Sequence, residues 1–215
     1  MPAALLIDHA LATVATRRAE FIVVSDPDVA IMTRVREGSQ AAVDDLVARF
    51  QHELVGFFYH LAWDQGIAEE LAQDVFVNIW RSRDRWVPTA KVRTWMYRIA
   101  HNLWIDHVRR HKRHLSLDAE LDGEGSLNLA DVLPAAAVHQ PDVERDHTIR
   151  DRVQQALTDL PEGQREVFVM ANDLGMRYQE IGAILGIPEG TVKSRMHHAV
   201  RALREDLADL VEEES

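Results

Sequence analysis

Apolar residues recur at three- and four-residue intervals along nearly all of this 215-residue chain, and no stretch alternates as a half-buried strand would. A period near 3.6 gathers such residues into one stripe of a helix, so the pattern commits the chain to an all-α architecture. No internal repeat is visible. The pattern breaks at length once, after His114. Residues 115–142, which include "LSLDAELDGEGSLNLADVLPAAAV", carry Gly, Pro and acids without a sustained period, and predict an extended acidic linker. The expectation is two small helical domains, 26–114 and 143–215, joined by that linker, with 1–25 left as an unassigned extension.

Within the first domain, a Ser/Asp cap and Pro27 open a helix that stops at Gly38. Ser39 can cap a second helix with Val43, Leu46, Val47, Phe50, Leu54, Phe57, Phe58 and Leu61, and Gly66 interrupts. A third helix carries Ile67, Leu71, Val75, Phe76, Ile79 and Trp80 on one face and acids and amides on the other. Pro88 closes a basic loop. The spacing then predicts a fourth helix from Thr89 to Arg113, with Val92, Trp95, Met96, Ile99 and Leu103 as its core stripe. Helical patterning resumes near Val143, with Pro161 at a first turn.

Composition removes several classes of function. With no cysteine, disulfides, thiolate chemistry and cysteine-ligated zinc are excluded. No run approaches the roughly 20 apolar residues of a membrane helix. The first residues lack the basic n-region of a signal peptide. The expectation is a soluble cytoplasmic protein with no membrane partner. The net charge of -11 conceals a segregated distribution. Residues 81–114 hold ten Lys/Arg against two Asp/Glu, with four histidines besides, whereas 115–151 hold two against nine. A basic block between acidic ones is the footprint of a polyanion site, or else one solvated helix face.

Two segments have the chemistry to meet nucleic acid. In "RYQEIGAILGIPEGTVKSRMHHAVRALR", Ile181, Ile184 and Leu185 form the inner face of a short helix that Gly186 can end in the left-handed region. A second helix follows with Val192, Met196 and Ala199 inward and Thr191, Lys193, Ser194, Arg195 and His198 outward. This is helix-turn-helix grammar, with short polar and cationic side chains within reach of a major groove. An ordinary helical hairpin is the plain alternative. In "WMYRIAHNLWIDHVRRHKRH", residues 95–114, aromatics beside Arg and Asn suit stacking and edge-reading of single-stranded bases. Packing of Trp104 and Ile105 on a neighbouring helix explains the same rings equally well.

His107 and His111, four apart with His114 beyond, resemble a metal pair, but Arg109, Arg110, Lys112 and Arg113 would repel a cation. Glu70 and Asp74 are also four apart, and a solvated or protein-docking face accounts for them better. There is no phosphate-binding loop, dinucleotide fingerprint or nucleophile elbow. No catalytic residue, metal or cofactor is expected.

Three stretches together carry a family resemblance: "AEELAQDVFVNIW", "RTWMYRIAHNLWIDHVRRHKR" and "LPEGQREVFVMANDLGMRYQEIGAILGIPEGTVKSRMHHAVRALR". In this order and spacing, from Asp28 to Leu207, the chain resembles the extracytoplasmic-function (ECF) sigma factors of bacterial RNA polymerase. The resemblance implies a region-2-like domain, a region-4-like helix-turn-helix domain, and no long region between them. It implies that Glu69, Glu70, Gln73, Asp74 and Asn78 dock on the clamp helices of the largest polymerase subunit, with a further contact to the flap of the second-largest. It implies minus-ten contacts by Arg83, Arg85, Trp86, Lys91, Arg93, Tyr97, Arg98, His101, Asn102, Arg109, Arg110 and Arg113, with Trp86, Tyr97 and Asn102 at the pocket for a base flipped from the melted non-template strand. It implies minus-thirty-five duplex contacts by Thr191, Lys193, Ser194, Arg195 and His198, and an anti-sigma factor as a partner.

Departures from the family are His198 where many members have Arg, Val200 where another cation is frequent, and "EGS" at 37–39 in place of a more usual Gly-Asp. The function implied is promoter recognition and melting as a polymerase subunit. The alternatives are a stand-alone helix-turn-helix regulator acting without polymerase core, and an RNA-binding module or nuclease.

Overall fold

The computed structural model describes residues 26, 28–88, 91–122 and 144–208. Pro27, Thr89, the 1–25 extension and most of the expected linker therefore lie outside the described residues. Among the described residues all regular structure is helical. The elements are α1 (Asp28–Arg36), α2 (Gln40–Ala62), α3 (Gln65–Ser82), a 3₁₀ turn (Arg83–Arg85), α4 (Val92–Asp122), α5 (Glu144–Asp159), α6 (Glu162–Asn172), α7 (Tyr178–Leu185) and α8 (Glu189–Asp206).

Short polar side chains start the helices, taking up amide hydrogens that have no partner in a first turn. Ser39 Oγ accepts from Ala42 N–H at 3.3 Å to begin α2. Asp64 Oδ1 accepts from Ile67 N–H at 2.8 Å to begin α3. The break between these two helices falls at Trp63, whose φ of 54° is left-handed, and not at Gly66, which lies inside the first turn of α3. The Asp64 cap sets that boundary. Asp26 serves two helices: its carboxylate accepts from Asp28 N–H at 3.0 Å and from Val92 N–H at 2.8 Å, tying the head of α1 to the head of α4.

The core of the N-terminal group is Met32, Val35, Leu46, Leu54, Phe57, Phe58, Leu61, Leu71, Val75 and Ile79, all essentially without solvent exposure. These are largely the stripes that the periodicity of α2 and α3 predicts. α4 differs from expectation. Its fully buried positions are Val92, Met96, Tyr97, Ala100 and Trp104, whereas Trp95, Ile99 and Leu103 are half-buried. The stripe is turned by about one residue because α4 packs between α3 on one side and α7 on the other. The helix also continues to Asp122, eight residues beyond His114. Leu115, Leu117, Ala119, Glu120 and Leu121 are good helix formers, and the first glycine arrives only at 123.

In the C-terminal group, Pro161 precedes the first turn of α6, and its carbonyl accepts from Gln164 and Arg165. Ile181 and Ile184 are buried under α7, Gly186 takes φ 68°, and Val192 and Ala199 are buried under α8. The approach of α7 to the α8 turn is close. A Cβ on Gly182 would sit 2.8 Å from the Ile187 carbonyl oxygen.

Candidate functional site

α8 presents Lys193, Ser194 and His198 to solvent, with Thr191 half-exposed beside them. Lys193 reaches back to Glu189 at 2.9 Å, an exposed pair one turn apart that costs little to break. Arg195 departs from the outward placement read from the sequence. Its guanidinium lies over Gly163 of α6, where an added Cβ would meet Nη1 at 2.9 Å, and the side chain is half-buried. Gly163 leaves the space into which it folds.

On α3, Glu69, Glu70 and Gln73 are exposed, and Asp74 and Asn78 are partly so. Asn78 donates to the Asp74 carbonyl at 2.8 Å, and Gln65 donates to Glu69 at 2.6 Å. Among these polar groups stands Val77, exposed at 42%. Sequence reasoning passed over it. The available signal was its position seven residues after Glu70, on the solvent side of a helix whose other apolar residues turn inward.

The basic segment divides into three sets. Trp86 and Tyr97, expected at the pocket for a flipped base, are core residues in this structure, 2% and 0% exposed. Tyr97 meets the Phe57 ring edge-on at 5.3 Å and donates its hydroxyl to Glu53 Oε1 at 2.8 Å. Burial, then the Glu53 charge, pushes the phenol pKa up, so it stays a donor. The second set is already engaged. Lys91 pairs with Glu180 at 2.7 Å, Arg93 donates to Glu53 and to the Leu174 carbonyl, each at 2.8 Å, and Arg98 donates to the Ala183 carbonyl at 2.7 Å. His101 Nδ1 lies 2.6 Å from Glu166 Oε1. Burial raises the pKa of the Glu166 carboxyl, a shift that His101 opposes only in part. Arg83 is engaged locally, its guanidinium 4.1 Å from the Trp80 ring centroid and donating to the Trp80 carbonyl.

The third set faces solvent: Arg85, Asn102, Arg109, Arg110 and Arg113. Trp104, His107 and His111 stack in a column along α4, with centroids 5.7 and 6.4 Å apart. Burial and then the His111 and Arg110 charges lower the His107 pKa. No group of three or more potential metal-ligating side chains occurs among the described residues. No described helix is long and apolar enough to cross a membrane.

Fold and surface together define an all-helical protein with a C-terminal helix-turn-helix and a basic helix placed behind an acidic one. Residues 46–114 match the model of Sigma-70 region 2, and residues 150–203 match that of Sigma-70, region 4. The chain is 34% identical over 177 residues to the ECF RNA polymerase sigma factor SigW of Bacillus subtilis, covering 82% of this chain and 95% of that protein. It is also 34% identical to the RNA polymerase sigma factor CarQ of Myxococcus xanthus, covering 83% and 97%. The chain belongs to the ECF RNA polymerase sigma factors. Its fold is shared with CnrH, solved in complex with the cytosolic domain of CnrY (TM-score 0.62, 24% identity, 88% and 100% covered). It is shared too with RpoE of Bartonella quintana, solved with the anti-sigma factor NepR (TM-score 0.59, 24% identity, 77% and 96% covered).

Proposed function

We propose that this chain is a dissociable promoter-specificity subunit with no catalysis of its own, acting in the cytoplasm on core RNA polymerase. The observation that carries the reading is that two chemically distinct faces stand open on one chain. α3 offers acids and amides around Val77, and the start of α8 offers Lys193, Ser194 and His198. A stand-alone regulator needs only the second. We assign residues 26–114 to polymerase docking and minus-ten recognition, 115–142 to a connecting segment, and 143–215 to minus-thirty-five recognition.

The docking face is then Glu69, Glu70, Gln73, Asp74 and Asn78, with Val77 as its apolar centre, against the clamp helices. Thr191, Lys193, Ser194 and His198 read the minus-thirty-five major groove, with Arg195 directed by α6. At minus ten, Asn102 supplies an amide to base edges, and Arg85, Arg109, Arg110 and Arg113 supply charge to the strand backbone. Unstacking a base costs roughly a few kcal/mol, which these contacts must offset. Trp86 and Tyr97 join the base pocket only if the strand draws their rings from the core. An anti-sigma factor is a fitting partner, since the fold is that of proteins solved with such partners.

Run-off transcription with purified core polymerase and the full chain, on a library of genomic promoter fragments, tests the reading. Discrete start sites that vanish with Glu70→Lys/Asp74→Lys support it. Tight duplex binding by the chain alone, with no transcript, would transfer the assignment to a stand-alone regulator.

A further inference from the structure

Asn102, Asp106, Arg109 and Arg113 follow one another along α4 at spacings of four, three and four residues. Such spacing aligns side chains on one face of a helix. All four are exposed. The stripe holds three of the residues assigned above to the minus-ten strand, with a carboxylate among them. No other Asp or Glu lies between Arg85 and Leu117. The basic segment therefore carries a single acid, set in the middle of an open face.

Folding does not account for that acid. The Asp106 side chain is 66% exposed, and among the described residues its carboxylate pairs only with Arg109, itself 72% exposed, at 3.9 Å. An exposed pair at that distance contributes little to stability. The Arg110 guanidinium donates to the Asp106 main-chain carbonyl at 3.3 Å, a contact that any residue at 106 would provide. Binding of the strand backbone does not account for it either. A carboxylate one turn from Arg109 repels phosphate and weakens the pull of the cation beside it.

What a carboxylate adds to this face is an acceptor that never donates. Arginine only donates, and the Asn102 amide does both. Adenine, cytosine and guanine each carry an amino group that can donate to such an acceptor, at N6, N4 and N2. Thymine carries none. Its unpaired edge sets one ring N–H between two carbonyl oxygens, which a carboxylate repels.

We propose that Asp106 is a base-selecting residue for the minus-ten strand, accepting from the amino group of one base and excluding thymine at that position. Its charge also sets the register, because phosphates are held at Arg109 and Arg113 and kept from the space between Asn102 and Arg109. The inference rests on the minus-ten reading of α4, and gives it a residue that lowers total affinity while raising discrimination.

The test uses holoenzyme reconstituted from core polymerase and the full chain. A promoter that it transcribes is randomised over the minus-ten segment, and the transcribed sequences are counted. The parent should show about fivefold depletion of thymine at one position, the low end for a base contact. Asp106→Asn places an amide there that can donate to thymine O4. It should reduce the depletion to less than about twofold, leave the other positions as they were, and bind a pre-melted promoter about threefold tighter at low salt. Asp106→Glu should restore much of the depletion. Both variants should keep the melting temperature of the parent, as expected at an exposed site.

A uniform gain in affinity with the parent's base profile would make Asp106 a surface charge and overturn the proposal. A lowered melting temperature in Asp106→Asn would make it a structural residue, with the same consequence. Asn102→Ala and Arg109→Ala separate the inference from the reading beneath it. If these alter the profile or open-complex formation while Asp106→Asn alters neither, Asp106 is no reader and the minus-ten reading stands. If none of the variants changes either property, the minus-ten reading falls as well.

Discussion

Tyr97 is where observed packing and expected base recognition compete for one side chain, and a pair of substitutions separates them. Tyr97→Phe keeps the ring, which is fully buried against Phe57, and removes only the hydroxyl that donates to Glu53 at 2.8 Å. A hydrogen bond to a charged acceptor contributes roughly 1.5–3 kcal/mol. Here Glu53 keeps its bond from Arg93 Nε, and its side chain is 34% exposed, so water can replace the lost donor. The cost should fall at or just below the low end, about 1–1.5 kcal/mol. Tyr97→Ala removes the whole buried ring and leaves a cavity, for which about 3–5 kcal/mol is the ordinary range. Urea unfolding of the full chain followed by far-ultraviolet circular dichroism measures both, provided the transitions stay single and the slopes match. The solvent-facing Asn102→Ala serves as the reference, within about 0.5 kcal/mol of the parent. If Tyr97→Ala proves as mild as Asn102→Ala, the ring is not in the core and the packing described for α4 is wrong.

Gly182→Ala should destabilise the helix-turn-helix by about 1–3 kcal/mol despite the better helix propensity of alanine, because the new methyl meets the Ile187 carbonyl oxygen at 2.8 Å. Thermal unfolding checks this, and an unchanged melting temperature would contradict the close approach. The buried Glu166 makes the packing of α4 on α6 sensitive to pH. Its carboxyl pKa is raised above 4.5, so its contribution is complete below 4.5 and declines as pH rises through the elevated folded value. Asp173, held low by His60 and Asn172 against its burial, has the opposite sign and acts only below 3.8. Stability measured upward from pH 5 should therefore fall less steeply in Glu166→Gln, and identical slopes would count against it. Lys193→Ala should weaken minus-thirty-five duplex binding by polymerase holoenzyme severalfold while leaving core binding unchanged, as read by mobility shift and by polymerase pull-down.

Helix identity was legible because it depends on local period and caps: Ser39, Gly186 and the stripes of α2 and α3 needed no tertiary information. The orientation of α4 was not legible in the same way. A period locates a stripe only when one face is buried, and α4 is buried on two, which drew Tyr97 and Ala100 inward and left Trp95 and Ile99 at the margins. Arg93 and Arg98 illustrate a second limit. Their targets are main-chain carbonyls 81 and 85 residues away, and a carbonyl leaves no mark in a sequence. Trp86 follows a basic 3₁₀ turn and reads as surface, yet its ring is drawn into the bundle where only tertiary packing decides.

The guanidinium of Arg195 rests on the bare backbone of Gly163, on the neighbouring helix α6. The orientation of a residue proposed to read the major groove is thus governed from a different part of the chain. Any side chain at 163 would push Arg195 outward, so under the proposed reading promoter preference drifts through a position on another helix. Comparing the binding preferences of related chains by their recognition helices alone would miss that lever.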